Sequence, residues 1–316
     1  MSDELRTLTY EADGRIARIT LDRPERGNGI TLEMPRELAA CVERANLDPA
    51  IHVIALAGNG SGFCGGYDLV ASAEGRMDTE LGGGRGGPGD AGTATGAALP
   101  EGAPVDPLVA ARNHDPSGTW DPVVDFQMMS RNVRGFMSLF HSEKPVVCKV
   151  HGYCVAGGTD MALCSDLIVV EDRAKIGYPP ARVWGVPTTS LWASRIGPAR
   201  AKRLLLTGDS IDGATAAEWG LADEAHPAAE LDAAFEALVG RIANVPVNQL
   251  VMHKLLVNQA LWAQGLAASQ ALGTFFDGIA RHTPEGFAFQ KRAAEVGFKQ
   301  AVRERDEPFG DFGLGD

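Results

Sequence analysis

Residues 153–166 read YCVAGGTDMALCSD and residues 62–69 read GFCGGYDL, two passages that each set a glycine pair ahead of an aspartate. Both follow apolar runs of strand character, KPVVCKV at 144–150 and IHVIALAG at 51–58. Glycine lacks the Cβ that otherwise keeps other atoms away from the main chain. Two such turns meeting at one point would aim main-chain N–H groups at a single ligand oxygen, the arrangement that stabilises a developing oxyanion. A helix opening at Thr159 or Asp160 would add its positive end. Glycine pairs also serve plain strand-to-helix turns, so spacing alone leaves both readings open.

Outward from these turns, RIARITLDRP (15–24) alternates apolar and polar residues and stops at proline, the pattern of a strand with one buried face. TLEMPRELAACVERANLDP (31–49) follows with Leu38, Cys41, Val42 and Ala45 at helical spacing. The order strand, helix, strand recurs through TDMALCSD to LIVVEDRAKIG (167–177), which predicts an α/β fold with ligand loops at the strand ends. Beyond residue 225 the pattern is helical only, so the chain divides into a core over 1–225 and a helical region over 226–316. A glycine-rich insert at about 74–118, poor in large apolar side chains, reads as a mobile loop. Its Gly82, Gly84 and Gly87 match GxGxxG without the strand and helix that a dinucleotide site needs.

The 316 residues are 45% hydrophobic, enough for a large core, and carry a net charge of −12. That balance argues against nucleic acid or an anionic membrane as partner. MSDELRTLTYEADG has no basic segment followed by an apolar run, and no stretch approaches eighteen consecutive apolar residues, so a cytoplasmic protein is expected. Five scattered cysteines suit reduced thiols in small apolar slots. Cys148, His151 and Cys154 lie close in sequence but lack further ligands at ordered spacing, and no metal is expected.

The motifs in their order resemble the crotonase (enoyl-CoA hydratase/isomerase) superfamily. LDRPERGNGI (21–30), GFCGGYDL, the long segment 144–177, LLLTGDSIDGATAAEWGLADE (204–224) and TPEGFAFQKR (283–292) are each similar to a family element. The resemblance implies a spiral of ββα units, a helical trimerisation region giving a homotrimer or dimer of trimers, and a coenzyme A thioester as substrate, with no further cofactor. It places the two oxyanion-hole amides on Tyr67 and Gly157 and an acid/base on Asp160. Arg26, Gly27, Gly66, Asp68, Leu69 and Val70 would line the path of CoA, with Phe276 and Lys291 reaching it from the helical end.

Two departures qualify the likeness. Where the family's hydratases carry a first glutamate this chain has Asp160, about 1.5 Å shorter, and the second glutamate falls on Pro180, which carries no proton. Asp160 acting alone, a second carboxyl from Asp121 or Asp125, and a different thioester reaction all stay open, as do a thioester hydrolase and a non-catalytic CoA-thioester binder. Asp166 reads as structural, and Arg182 and Trp184 as either acyl-pocket walls or a surface pair.

Overall fold

The computed structural model describes residues 5–69, 103 and 106–310. Val70 and most of the glycine-rich insert lie outside them. The chain opens with a hairpin, β1 (Leu8–Asp13) and β2 (Ile16–Leu21), turned at Gly14 with φ 57°. In β2 the alternation predicted from sequence holds, with Ala17, Ile19 and Leu21 buried. A 3-10 turn at Pro24–Arg26 and helix α1 (Met34–Leu47) lead to β3 (Val53–Gly58). Leu38, Cys41, Val42 and Ala45 all face inward from α1.

After the insert come α2 (Pro107–Asn113), α3 (Pro122–His141), β4 (Val146–Val150), β5 (Tyr153–Val155) and a six-residue α4 (Gly157–Ala162). The last residues of the predicted insert are therefore a capped helix, α2, rather than loop. Then follow β6 (Leu167–Glu171), β7 (Lys175–Gly177), a 3-10 turn at Pro179–Arg182, and α5 (Trp192–Thr207), kinked at Gly197–Pro198. The core closes with β8 (Ser210–Ile211), α6 (Gly213–Trp219) and β9 (Glu224–His226).

The strands form a six-stranded sheet in the order β1-β2-β3-β4-β6-β9, parallel from β2 onward, and a three-stranded sheet β5-β7-β8. The chain crosses from the first sheet to the second at Gly152 (φ 57°), where a Cβ would lie 1.9 Å from the Ser61 carbonyl. Two turns of the spiral, β4-β5-α4 and β6-β7-α5, each contribute one strand to each sheet and then a helix.

β3 reads VIALAG because both of its faces are covered. Ile54 and Leu56 join the main core with α1 and α3, whereas Val53 and Ala55 face Leu231, Phe235 and Val239 of α7 (Ala228–Ala243). The helices α8 (Val247–Ala263), α9 (Leu266–Arg281), α10 (Pro284–Val296) and α11 (Phe298–Asp306) complete the chain. α8 is anchored by the buried Lys254, whose Nζ donates to the carbonyls of Leu139 (2.8 Å) and Lys144 (3.1 Å) and pairs with Asp166 at 2.8 Å. Asp166 also accepts from Val146 N at 2.7 Å, so it is structural, although it lies beyond the end of α4. Among the described residues no helix is long and apolar enough to cross a membrane.

Candidate active site

The two glycine turns run side by side. Phe63 N donates to the Tyr153 carbonyl at 2.9 Å, Val155 N donates to the Cys64 carbonyl at 3.1 Å, and the main chains of Cys64 and Cys154 pair in parallel, strand-like fashion. The first turn is shaped from below by Asn28, fully buried, with φ 52°. Its Nδ2 donates to the carbonyls of Asn59, Gly62 and Phe63 at 2.8–3.1 Å, and its Oδ1 accepts from Arg23 N at 2.9 Å. Sequence reasoning gave Asn28 no such part; a polar residue between two glycines, at Gly27-Asn28-Gly29, was the available signal.

Ile30 N donates to the Gly66 carbonyl (2.8 Å) and Asp68 N to the Ile30 carbonyl (3.0 Å). The pleat of an extended segment then turns the N–H of the intervening Tyr67 away from Ile30. Gly66 adopts φ 97°, and a Cβ on it would lie 2.7 Å from the Ala156 Cβ and 3.5 Å from Gly157 N. Ala156 itself holds φ 54° and ψ −129°, a conformation that costs a non-glycine residue about 1–3 kcal/mol. It is clamped there by Ala156 N donating to the Gly177 carbonyl (3.0 Å) and Thr159 N donating to the Ala156 carbonyl (2.9 Å). Gly157 follows as the first residue of α4, so the helix opens earlier than expected, and among the described residues neither Tyr67 N nor Gly157 N has a main-chain acceptor. The ring of Tyr67 lies across Gly157, where a Cβ would meet its Cε2 at 2.7 Å.

Asp160, one turn into α4, is fully buried. Its Oδ1 accepts from Thr189 N (3.2 Å) and Thr189 Oγ1 (2.9 Å), and its Oδ2 from Thr188 N (3.3 Å) and Thr188 Oγ1 (3.2 Å). Burial pushes the carboxyl up to about 6, opposed by the threonine donors and aided by the nearby charge of Asp277. A carboxylate offers about four acceptor sites, and here all are filled. To take a proton, Asp160 needs one threonine hydroxyl to rotate and become its acceptor, which makes that hydroxyl the natural route in and out.

Asp277 on α9 approaches the same segment from the other side, accepting from Val186 N at 3.4 Å. Burial raises its carboxyl above the ordinary range, partly offset by Arg281. Arg281 bridges Asp277 (3.3 Å) and Asp125 (3.2 Å), and Asp125 also accepts from Trp120 Nε1 (2.8 Å) and Asn113 Nδ2 (3.0 Å). His114, Asp125 and His282 bring their donor atoms within 4.8 Å of one another. The His282 nitrogens, however, face the carbonyls of Gly278 (2.8 Å) and Asn113 (3.0 Å), and Arg281 already supplies the positive charge. Asp125 and His282 are thus held in a hydrogen-bonded charge network, whereas the Nε2 of His114 is buried without a hydrogen-bond partner. Asp121 is the N-cap of α3. Replacing Arg281 by methionine leaves two buried carboxylates without their cation, and a loss of about 3–5 kcal/mol is expected in urea unfolding; a change under 1 kcal/mol would show the network to be dispensable.

The remaining predicted residues fall in three places. Arg26 Nη2 pairs with Asp68 at 2.6 Å and Arg23 Nη2 with the same carboxylate at 2.9 Å, tying the loop at 23–29 to the turn that holds Gly66 and Tyr67, with Gly27 and Leu69 alongside. Phe276 and Lys291 are exposed on α9 and α10. Arg182 is neither a pocket wall nor a surface residue. Its side chain is buried, pairs with Asp306 at 2.8 Å, donates to the Thr207 carbonyl and packs on Phe309, clasping α11 to the core. Trp184 (φ 81°) packs on Phe289 of α10. Pro180 sits in the 3-10 turn after β7 and brings no acid.

A family model described as enoyl-CoA hydratase/isomerase matches residues 11–83 and 125–288. The chain belongs to the enoyl-CoA hydratase/isomerase family. It shares 31% identity over 276 residues, 84% of this chain and 78% of the relative, with the Mycobacterium tuberculosis protein EchA13, named as an enoyl-CoA hydratase. A carnitinyl-CoA dehydratase of Proteus mirabilis is 27% identical over 73% of this chain and 72% of its own. The crystal structure of an enoyl-CoA hydratase from Mycobacterium smegmatis superposes with a TM-score of 0.87 at 55% identity, covering 98% of this chain and 97% of that one. The fold is that of the crotonases, and the protein is an enzyme of the hydratase/isomerase type.

Proposed function

We propose that the chain binds an acyl-CoA thioester with its carbonyl oxygen between the N–H groups of Tyr67 and Gly157, which take up the enolate charge formed when a proton leaves or joins the α-carbon. The observation that carries this reading is the pair of amides without main-chain acceptors on adjoining turns, one of them set by the strained Ala156. Asp160 is the proton carrier. Its affinity near pH 6 suits exchange at neutral pH, through the hydroxyl of Thr188 or Thr189. The enolate chemistry serves hydration and isomerisation alike. CoA lies along Arg26, Gly27, Gly66, Asp68 and Leu69, with Phe276 and Lys291 meeting it from the helical end and no further cofactor taking part.

The same reading extends to assembly. Met252, Leu255, Leu256 and Val257 of α8 and Leu272, Phe275, Phe276 and Ile279 of α9 are 40–73% exposed in the single chain, apolar surface that a homotrimer or dimer of trimers would cover. Five free, buried thiols suit the cytoplasm. The test is to incubate the protein with short enoyl-CoA esters and follow loss of the conjugated thioester absorbance. Turnover is expected. Tight binding across an acyl-CoA panel without turnover of any member would replace the enzyme by a thioester binder, an outcome favoured by Pro180 and by the filled acceptor sites of Asp160.

A further inference from the structure

Pro180 leaves the site one carboxyl short, and Asp160 has no acceptor position to spare. A second buried carboxyl reaches the same region from the C-terminal helices. Asp277 lies on the face of α9 that rests along residues 186–190. Gln270 Nε2 donates to the Thr189 carbonyl (3.0 Å), a Cβ on Gly273 would lie 2.7 Å from the Pro187 carbonyl oxygen, and Val186 N donates to Asp277 Oδ1 (3.4 Å). Asp160 holds Thr188 and Thr189 of that strip from the core. The two carboxyls differ in how firmly they are held. Among the described residues Asp277 accepts a single long hydrogen bond, from Val186 N, and its 3.3 Å contact with Arg281 is an ion pair. The guanidinium donates its hydrogen bond to Asp125 instead, at 3.2 Å, so one cation serves two acids and Asp277 has the weaker hold on it. Asp277 therefore keeps open lone pairs, and with 9% of its side chain exposed it is not sealed as Asp160 is.

We propose that Asp277 is a second catalytic carboxyl, carrying the proton at the γ-carbon of an unsaturated acyl-CoA while Asp160 carries the one at the α-carbon, so that the site moves a double bond. In the step from a 3-enoyl to a 2-enoyl thioester, ionised Asp160 takes the α-proton. The C–H electron pair passes into the thioester as a dienolate, whose oxygen rests on the Tyr67 and Gly157 amides. The Cβ=Cγ pair then takes the proton of Asp277 at Cγ, the Cα=Cβ bond forms and the carbonyl is restored. Asp160 ends protonated and Asp277 ionised, and one proton passing from the first to the second through solvent resets the site. Nothing is oxidised or reduced. Burial raises the proton affinity of Asp277, opposed by Arg281, which suits the acid of the pair. Burial first, then the charges of Asp160 and Asp277, hold the phenols of Tyr67 and Tyr178 protonated, so both carboxyls act on the same two rings. The ring of Tyr67 crosses Gly157, and the space between the acids thus adjoins the amide pair.

The proposal rests on the acyl-CoA reading, and the experiment separates the two. The full chain is incubated in ordinary water with 3-hexenoyl-CoA deuterated at its α-carbon, and the 2-enoyl ester is followed by the gain of conjugated absorbance and the position of deuterium by NMR. Exchange of the α-hydrogens of butyryl-CoA, which needs only the amides and Asp160, is measured beside it. The wild type is expected to form the 2-enoyl ester with solvent hydrogen at its γ-carbon. Asp277→Asn should lose about 10²–10⁴ of that conversion, while α-exchange falls by less than about threefold. A carboxyl that merely held the fold would lower both together. Should the asparagine variant not fold, Asp277→Glu keeps the charge and moves the acid by about 1.5 Å, and conversion should fall by about 10² with α-exchange retained. Deuterium carried from the α- to the γ-carbon would mean that Asp160 shuttles alone and overturns the proposal, as would parallel loss of both activities or unchanged conversion in the variant. If the wild type exchanges α-hydrogens but moves no double bond, this inference fails and the thioester reading stands. If neither activity is seen, both fail.

Discussion

Asp160→Asn is expected to lower kcat by about 10²–10⁴, the range for removing a positioned proton carrier, with KM for the CoA ester little changed because the amide pair is untouched. Asparagine is nearly isosteric but presents an NH₂ to donors that now fill one carboxylate oxygen, and it cannot accept a proton at neutral pH. The wild-type rate should rise with pH through a limb centred near 6, the protonation range of this buried carboxyl; an acid limb near pH 4, or none, would remove Asp160 from the mechanism. The same shift acts on stability. In the folded chain the carboxyl holds its proton to about pH 6, but the unfolded chain releases it near the ordinary value of 3.8. The folded state therefore binds more protons between these values, and stability from this group is present below about pH 4 and lost as the pH rises through 6. The interval corresponds to roughly 3 kcal/mol, and Asp160→Asn should flatten that part of the urea-midpoint profile.

Gly66→Ala is the second large effect. At φ 97° any side chain is strained, and the new Cβ meets that of Ala156 at 2.7 Å. The turn carrying the Tyr67 amide must then move away from Gly157, which removes one donor to the oxyanion. Loss of about 10²–10³ in kcat is expected, together with a fall in stability of about 1–3 kcal/mol in a urea titration. The pattern distinguishes it from Asp160→Asn, because binding of a stable enolate analogue should weaken in parallel with kcat. A Gly66→Ala protein with wild-type turnover would show that the two amides do not work as a pair.

How much of this could be read in the sequence follows from which contacts are local. The turns at Gly65–Gly66 and Gly157–Gly158 are legible because a glycine pair after an apolar strand states its own backbone requirement. The strands and helices are legible from periodicity, down to the inward face of α1. What surrounds Asp160 is not. Thr188 and Thr189 lie 28 and 29 positions away, in a segment without helical or strand periodicity, so nothing local announces that they hold a carboxylate. Asp277 is further still, on a helix that reads as an ordinary member of the C-terminal set. The place of Arg182 is hidden for the same reason, since its partner Thr207 lies 25 positions on, at the end of α5, and Asp306 meets it only when α11 folds back.

The stretch from Val186 to Ser190 is gripped at both ends of its length. Asp160 holds Thr188 and Thr189 from the core, while α9 holds Val186 through Asp277, Thr189 through Gln270 Nε2 at 3.0 Å, and Ser190 through the Ser269 carbonyl at 3.0 Å. A rod fastened at three points to the strip that cradles an acid transmits any tilt of its own axis to that acid. The outer side of this rod is the bare apolar strip of Leu272, Phe275, Phe276 and Ile279. On the proposed reading of Asp160 as proton carrier, a partner subunit seated against that strip would set the geometry of proton transfer, and quaternary assembly would become an ingredient of turnover rather than packaging.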